Sequence, residues 1–342
     1  MEPLCFIAED GTRADPLPLT LDELVRGYRA VVRARIFDER ALTLQRQGRL
    51  AVYPPYRGQE AAQVGATLAL RPDDWLVPSY RETAAAIIHG LPMSQALLFW
   101  RADPAGWRYP DGLRVLPFYI PIATQLLHAV GVASAGRYQD EDWVALTFVG
   151  DGGSSEGDFH EALNFAAVFS APVVLVVQNN GWAISVPTEK QMRNPHIVDR
   201  AAGYGIPGVV VDGNDLVAVW HATREAVARA RAGQGPTLIE AMTYRMGPHT
   251  SSDDPGRYRS PEGAAAWEPR DPVVRLRRAL TAMDAWDDER QQALEAELVE
   301  EFAAAVREAD EAPEPEPQQI VEQVFETMTD DARAAWETLR HG

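Results

Sequence analysis

Apolar positions recur at helical spacing from Leu21 to about Arg49, where Leu24, Tyr28, Val31, Val32 and Ile36 share one face. A Gly/Pro-rich passage, 52–58, interrupts this pattern, and a helix of small residues follows over 59–70. Residues 75–78 read as a strand; helices are expected around 82–89 and 94–100, and 107–117 has no regular period. The stretch 123–137 is a further helix whose small residues permit close packing. The chain then alternates. Segments 143–149 and 172–178 are apolar throughout and flank a helical stretch, 156–169, with Phe159, Ala162, Leu163, Ala166 and Ala167 on its inner face. Strand patterns at 208–212 and 236–243 flank another helix at 216–232. Strands apolar on both faces, alternating with helices, predict an α/β fold: a mostly parallel sheet covered by helices on both sides.

The ends of the chain differ from this middle. Residues 1–20 carry scattered prolines and read as an extended arm. Beyond Asp271 the pattern is helical and amphipathic, with a break at 312–317. The expected organisation is an arm (1–20), an α/β domain (21–270) and a helical C-terminal extension (271–342). The small-residue helices around 61–69 and 123–135 are candidates for close contact with another subunit.

Composition narrows the classes. With 342 residues and 46% hydrophobic content the chain can build a substantial core, and 24% charged residues exclude a wholly disordered polymer. A net charge of −18 argues against a general nucleic-acid binder, which needs a basic face. Cys5 is the only cysteine, so neither an intramolecular disulfide nor a thiolate metal cluster can form from this chain alone. The first residues lack the basic-then-apolar order of a signal peptide, and the apolar runs are too short to span a bilayer; a cytoplasmic protein is expected.

The chemistry concentrates between Gly150 and Asn180. A strand ends in Gly150-Asp151-Gly152-Gly153, which puts Asp151 at the carboxyl end of a parallel strand, where α/β sheets bind ligands. The glycines let backbone N–H groups approach a bound group, and the next helix points its positive end at the same spot. A crossover leads to a second strand ending in Gln178-Asn179-Asn180-Gly181. One carboxylate and one amide oxygen suit magnesium, which keeps water and phosphate oxygens in its shell. Asp-Gly and Asn-Gly are also ordinary turn dipeptides, and either alone reads as structural. Together they bracket a strand–helix–strand unit, which is far more specific. No Gly-Lys-Ser/Thr follows, so this is not a P-loop.

The stretch from Gly150-Asp151-Gly152 to Asn179-Asn180 resembles the thiamine-diphosphate motif. The segments 45–50, 58–60, 157–159, 164–166, 179–185 and 211–215 are similar to alpha subunits of the pyruvate and branched-chain 2-oxo acid dehydrogenases. The resemblance covers about residues 20–330. It implies the thiamine-diphosphate-binding fold, oxidative decarboxylation of a 2-oxo acid, and reductive acylation of a lipoyl group. Magnesium would be held by Asp151, Asn180 and the main-chain carbonyl of Trp182. Tyr80, Arg81, Gly150, Gly152, Gly153, Gln178 and Arg245 would contact the cofactor, and Ile122 would support its bent conformation. His249 would bind cofactor and act in catalysis, facing the substrate carboxylate or intermediate. Without the resemblance, Arg81 reads as a surface ion pair with Glu82, Ile122 as core, and His249 as one structural histidine among seven, although His128 too is placed near the cofactor. The resemblance also implies a beta subunit carrying the activating glutamate in an α2β2 heterotetramer, and a lipoyl-bearing acyltransferase core.

Some positions depart from the family pattern. Pro121, Thr124 and Gln125 match a potassium site of some relatives, but Tyr119 stands where the branched-chain enzymes carry serine. Gln178 stands where they carry arginine, and Val52 where many relatives have phenylalanine near the substrate. Thr250 matches a phosphorylated position of mitochondrial relatives. Pyruvate and branched-chain substrates both remain open, with an acetoin dehydrogenase alpha subunit and a non-catalytic magnesium–diphosphate scaffold as rivals. The polar loop 245–260 has almost no apolar anchor, and its ordering is expected to come from a bound cofactor.

Overall fold

The computed structural model of the protein describes residues 2–316, 319 and 325–341. In chain order its first half contains helices α1 (Leu21–Arg46) and α2 (Glu60–Thr67), strand β1 (Trp75–Val77), and helices α3 (Thr83–Ile88), α4 (Met93–Trp100) and α5 (Thr124–Tyr138). Strand β2 (Ala145–Gly150), helix α6 (Gly157–Val168) and strand β3 (Val173–Asn179) form the central crossover. A small hairpin, β4 (Trp182–Ala183) with β5 (Val186–Pro187), leads to α7 (Thr188–Gln191) and α8 (Asp199–Gly203). Strand β6 (Gly208–Asp212), helix α9 (Leu216–Arg231) and strand β7 (Thr237–Met242) complete the sheet. Helices α10 (Pro261–Ala265), α11 (Pro272–Ala282) and α12 (Asp288–Asp310) follow, and a last helix spans Asp330–His341.

Five strands pair in the order β1–β2–β3–β7–β6, every pair parallel. The side-chain period of two divides the apolar strands between two cores. Along β3, Val174 and Val176 join α1, α2, α4, α9 and α12, while Val173, Leu175 and Val177 join α5 and α6. This is why β2 and β3 read as continuous apolar runs: each face is covered. Local signals agree with the helix starts. Thr20 and Glu23 form a reciprocal capping box on α1, and Asp215 caps α9 through the backbone N–H of Val217.

Three features differ from expectation or refine it. The small-residue helix α2 is buried along its whole length against α1, α3 and α9 of its own chain, so it offers no face to another subunit. Helix α5 does keep an outward strip, where Leu127, Gly131 and Ser134 border the exposed Phe165 and Phe169 of α6. The hairpin after β3 gave no period long enough to see; it turns on Gly181 and Ile184, both at positive φ. The arm is docked rather than loose: Ile7 is fully buried, and Leu4 bridges to Val211. Leu294, Leu298 and Phe302 of α12 share the core that holds α1. The expected break begins after Asp310, and Pro317 lies outside the described residues. Among the described residues no helix is long and apolar enough to cross a membrane.

Candidate active site

Four adjacent strands send their C-terminal ends into one place. The turn after β1 carries Tyr80 and Arg81, that after β2 carries Gly150 to Gly153, that after β3 carries Asn180 and Trp182, and that after β7 carries Arg245 and His249. They enclose a cavity of ≈ 230 Å³ that Gln59, Glu82, Ile122 and Gln178 also line. Parallel strands all point their carboxyl ends the same way, so adjacent turns meet there without long loops.

On the sheet side, Asp151 is fully buried. Its Oδ1 accepts a long bond from the backbone N–H of Asn180 (3.4 Å), and its Oδ2 accepts from Thr188 Oγ1 (3.1 Å). Burial pushes this carboxyl above its usual range, and these bonds and the distant Arg245 only partly offset it. Asn180 Oδ1 accepts from the backbone N–H of Trp182 (3.2 Å). The donor set here is a carboxylate, an amide oxygen and a main-chain carbonyl, all hard oxygens. Gly150 is open, with nothing within 4 Å of where a Cβ would stand. A Cβ on Gly152 would press on Ala183, and one on Gly153 on Val149 and Ile122. The backbone approaches the cavity because these positions lack side chains.

On the loop side, Arg81 is the tie. Its guanidinium donates to Pro55 O (2.6 Å), to His249 O (3.1 Å) and to His249 Nδ1 (3.0 Å). Arg245 is equally buried and reaches Ile184 O, Tyr258 Oη (3.0 Å), Trp182 O (3.4 Å) and His249 Nδ1 (3.4 Å). A guanidinium has no acceptor, so Nδ1 presents its lone pair and the ring proton sits on Nε2. Burial and then the two cations, Arg81 and Arg245, hold His249 down to about 4, so it is a neutral N–H donor at ordinary pH. Burial, then Arg81, lowers the Arg245 guanidinium. The Nε of Arg245 is buried with no protein partner among the described residues.

Tyr80, Arg81, Ile122, Gly150, Gly152, Gly153, Gln178, Asn180, Trp182, Arg245 and His249 all line the cavity; Asp151 is not in the lining but is buried between Gly150 and Gly152 and bonded to the backbone of Asn180. Arg81 makes no ion pair with Glu82, correcting the surface-pair reading. Glu82 is itself buried, accepting from Ser79 N (2.8 Å), Ser79 Oγ (2.5 Å) and Gln178 Nε2 (2.6 Å). His128 is exposed and meets Tyr119 edge-on, away from the cavity, and Val52 is exposed outside it. Of the three residues read for potassium, Pro121 and Gln125 reach the cavity lining, while Thr124 Oγ1 donates to Asp158. Gln59, Glu82 and Glu156 line the cavity and had no assigned role. The available signal for Gln59 was its place in Gly58-Gln59-Glu60, one of the segments that carry the resemblance.

The loop from Arg245 to Ser260 has polar anchors within the chain. Met246 N donates to Arg57 O (3.0 Å), and Ser251 N to Tyr53 O (2.8 Å). Arg259 donates to the carbonyls of Arg245 and Met246, and Tyr258 Oη to Asp253. The loop lacks apolar anchors because its anchors are polar.

The family model described as "Dehydrogenase E1 component" matches residues 28–318 of the chain. The 3-methyl-2-oxobutanoate dehydrogenase subunit alpha of Mycobacterium tuberculosis is 44% identical over 345 residues, covering 99% of this chain and 94% of that protein. The pyruvate dehydrogenase E1 component subunit alpha of Staphylococcus aureus is 42% identical over 323 residues, covering 94% and 87%.

Proposed function

This chain belongs to the dehydrogenase E1 component family and is the alpha subunit of a 2-oxo acid dehydrogenase; from that premise we propose how its residues divide the work. The family implies thiamine diphosphate, which when bound supplies the carbanion chemistry of decarboxylation. Asp151, Asn180 and the carbonyl of Trp182 are the residues to hold magnesium. Support comes from the all-oxygen set and from a buried carboxylate with weak compensation. Arg81, Arg245 and the open backbone at Gly150–Gly153 are the residues to bind diphosphate. The unpartnered Nε of Arg245 fits that use. Tyr80 and Ile122 frame the pocket, and Ile122 is half-exposed at its mouth, as a cofactor support requires. Gln125 Oε1 has no partner among the described residues and is the oxygen best placed to serve potassium.

His249 donates from Nε2 to the substrate carboxylate, fixed in that tautomer by the two guanidiniums. A beta subunit in an α2β2 assembly would supply the activating glutamate, and a lipoyl-bearing core would receive the acyl group. The single observation that carries this reading is the meeting of an oxygen set and a cationic pair, contributed by four adjacent strand ends, across one cavity. The test is co-expression with the beta chain, then decarboxylation of pyruvate, 3-methyl-2-oxobutanoate and 4-methyl-2-oxopentanoate. The heterotetramer turns over at least one of the three and the purified alpha chain none. Robust turnover by the alpha chain alone overturns the shared site, and the ranking of the three acids assigns the acyl chain.

A further inference from the structure

Gln59 is fully buried at the start of α2 and lines the cavity, yet no role in the reaction has been given to it. Its Oε1 accepts from Asn180 Nδ2 (3.1 Å), and its Nε2 has no protein partner among the described residues. The identities of these atoms follow from a backbone donor. The N–H of Trp182 can only donate, so the atom of Asn180 facing it is oxygen. The atom of Asn180 facing Gln59 is therefore the amide nitrogen. Gln59 must meet that nitrogen with its own oxygen, which leaves its NH2 group as the unpartnered end of a residue that lines the cavity. The chain of contacts runs from the main-chain N–H of Trp182 through Asn180 to Gln59 and fixes the orientation of both amides.

We propose that Gln59 has two tasks at the site, resting on the thiamine-diphosphate reading above. It is a positioning residue for Asn180: by taking up Nδ2 it holds Oδ1 on the side of the oxygen set. It is also a binding residue, directing Nε2–H at a diphosphate oxygen. A buried amide donor left without a partner is costly, and an anion repays it more strongly than a neutral acceptor does. Gln178 is the counterexample in the same cavity. There Gln178 gives its Nε2 to Glu82 Oε1 (2.6 Å), so its donor is already taken within the chain and Oε1 is the unpartnered atom. Of the two glutamines, Gln59 is the one whose amide donor is left unpartnered by the chain.

The test uses the αβ heterotetramer with Gln59→Met, which loses both contacts, and Gln59→Glu, which keeps the acceptor for Asn180 but loses the donor. Thiamine diphosphate affinity is read by calorimetry at saturating magnesium, and metal affinity by the electron paramagnetic resonance of manganese at a cofactor concentration that saturates each variant. Both variants weaken cofactor binding by about tenfold or more. Only Gln59→Met weakens manganese binding. Wild-type cofactor affinity in a folded Gln59→Glu heterotetramer overturns the binding role. Equal manganese affinity in wild type and Gln59→Met overturns the positioning role. If Gln59→Met does not assemble, Asn180 amide orientation is tested instead by Gln59→Glu, which must keep wild-type manganese affinity. Failure of the wild-type heterotetramer to bind thiamine diphosphate would instead overturn the functional reading.

Discussion

Strands β2 and β6 leave the sheet in similar acidic turns, Gly150-Asp151-Gly152 and Asp212-Gly213-Asn214-Asp215. Each turn buries a carboxylate, and burial raises both Asp151 and Asp215 above the usual range. Their company differs. Asp215 accepts from the backbone N–H groups of Phe6 (2.6 Å), Ile7 (2.9 Å) and Val217 (3.0 Å). The neighbouring Arg275 pairs with Asp212 at 2.9 Å and ties the same corner to the carbonyl of Ile7. Asp151 has one long backbone bond and one hydroxyl. The arm and Arg275 finish the β6 corner, whereas among the described residues no cation is paired with Asp151 at the β2 corner. A buried carboxylate saturated by its own chain is structural; one left undersaturated at a strand end is set up to receive a cation.

Exchanging these two acids for neutral residues should separate binding from folding. Asp151→Asn is expected to lower thiamine diphosphate and magnesium affinity by about 3 kcal/mol, roughly a hundredfold, because a buried cation loses its charged partner. The same change should leave the thermal midpoint of the cofactor-free protein equal or higher, since it removes an ill-compensated buried charge. Asp215→Ala should do the reverse. It strands three N–H donors beside Arg275, so unfolding becomes easier by about 3–5 kcal/mol while the folded fraction binds cofactor normally. Calorimetric titration and thermal unfolding of both variants check this, and parallel effects in the two would collapse the distinction.

Arg81 sharpens the contrast at the next scale, because it joins the loop wall to the sheet wall. Arg81→Lys keeps the charge but cannot donate at once to Pro55 O, His249 O and His249 Nδ1. Two buried acceptors lose partners, and cofactor affinity is expected to fall by about 2 kcal/mol, roughly thirtyfold. Affinity within twofold of wild type would show that the fork is dispensable.

How much of this was visible in the sequence follows from the same distinction. Sheet elements declared themselves because burial on both faces leaves only apolar residues, and the predicted β6 span matched residue for residue. Asp151 and Asn180 were legible because a turn dipeptide at each end of a strand–helix–strand unit has a fixed place in space. The loop 245–260 was not, since polar side chains reveal no period and their partners, Tyr53 and Arg57, lie far away in sequence. Gln59 and Glu82 were hidden for the same reason: each acts through a contact made only when distant turns converge. The docking of α2 inside the chain was equally silent, because small residues mark close packing without saying against what.

The polar anchoring of that loop can be loosened a little at a time. Tyr258→Phe removes the hydroxyl that meets both Asp253 and Arg245. The expected cost is about 1 kcal/mol, seen as several-fold faster trypsin cleavage at Arg257 in the cofactor-free heterotetramer. Cofactor and magnesium should slow cleavage at Arg257 and Arg259 in wild type and restore much of the protection in the variant. Identical rates in all four conditions would mean that neither the hydroxyl nor the cofactor holds the loop.

The last effect concerns His249 and acid. In the folded chain the ring is held down to about 4, first by burial and then by Arg81 and Arg245, against an ordinary value of 6.5. Between those two values the unfolded chain binds a proton that the folded chain refuses. Stability from this residue is therefore complete above about pH 6.5 and is lost progressively as the pH falls towards 4. His249→Gln keeps a side chain able to accept from the guanidiniums but cannot titrate. Its thermal midpoint should fall less steeply than that of wild type across the same window, with the two curves parallel above it. Other groups contribute equally to both proteins, so the difference between the curves isolates this ring. Curves parallel from pH 4 to 8 would mean that His249 keeps an ordinary imidazole, and the two guanidiniums would then not be fixing its tautomer.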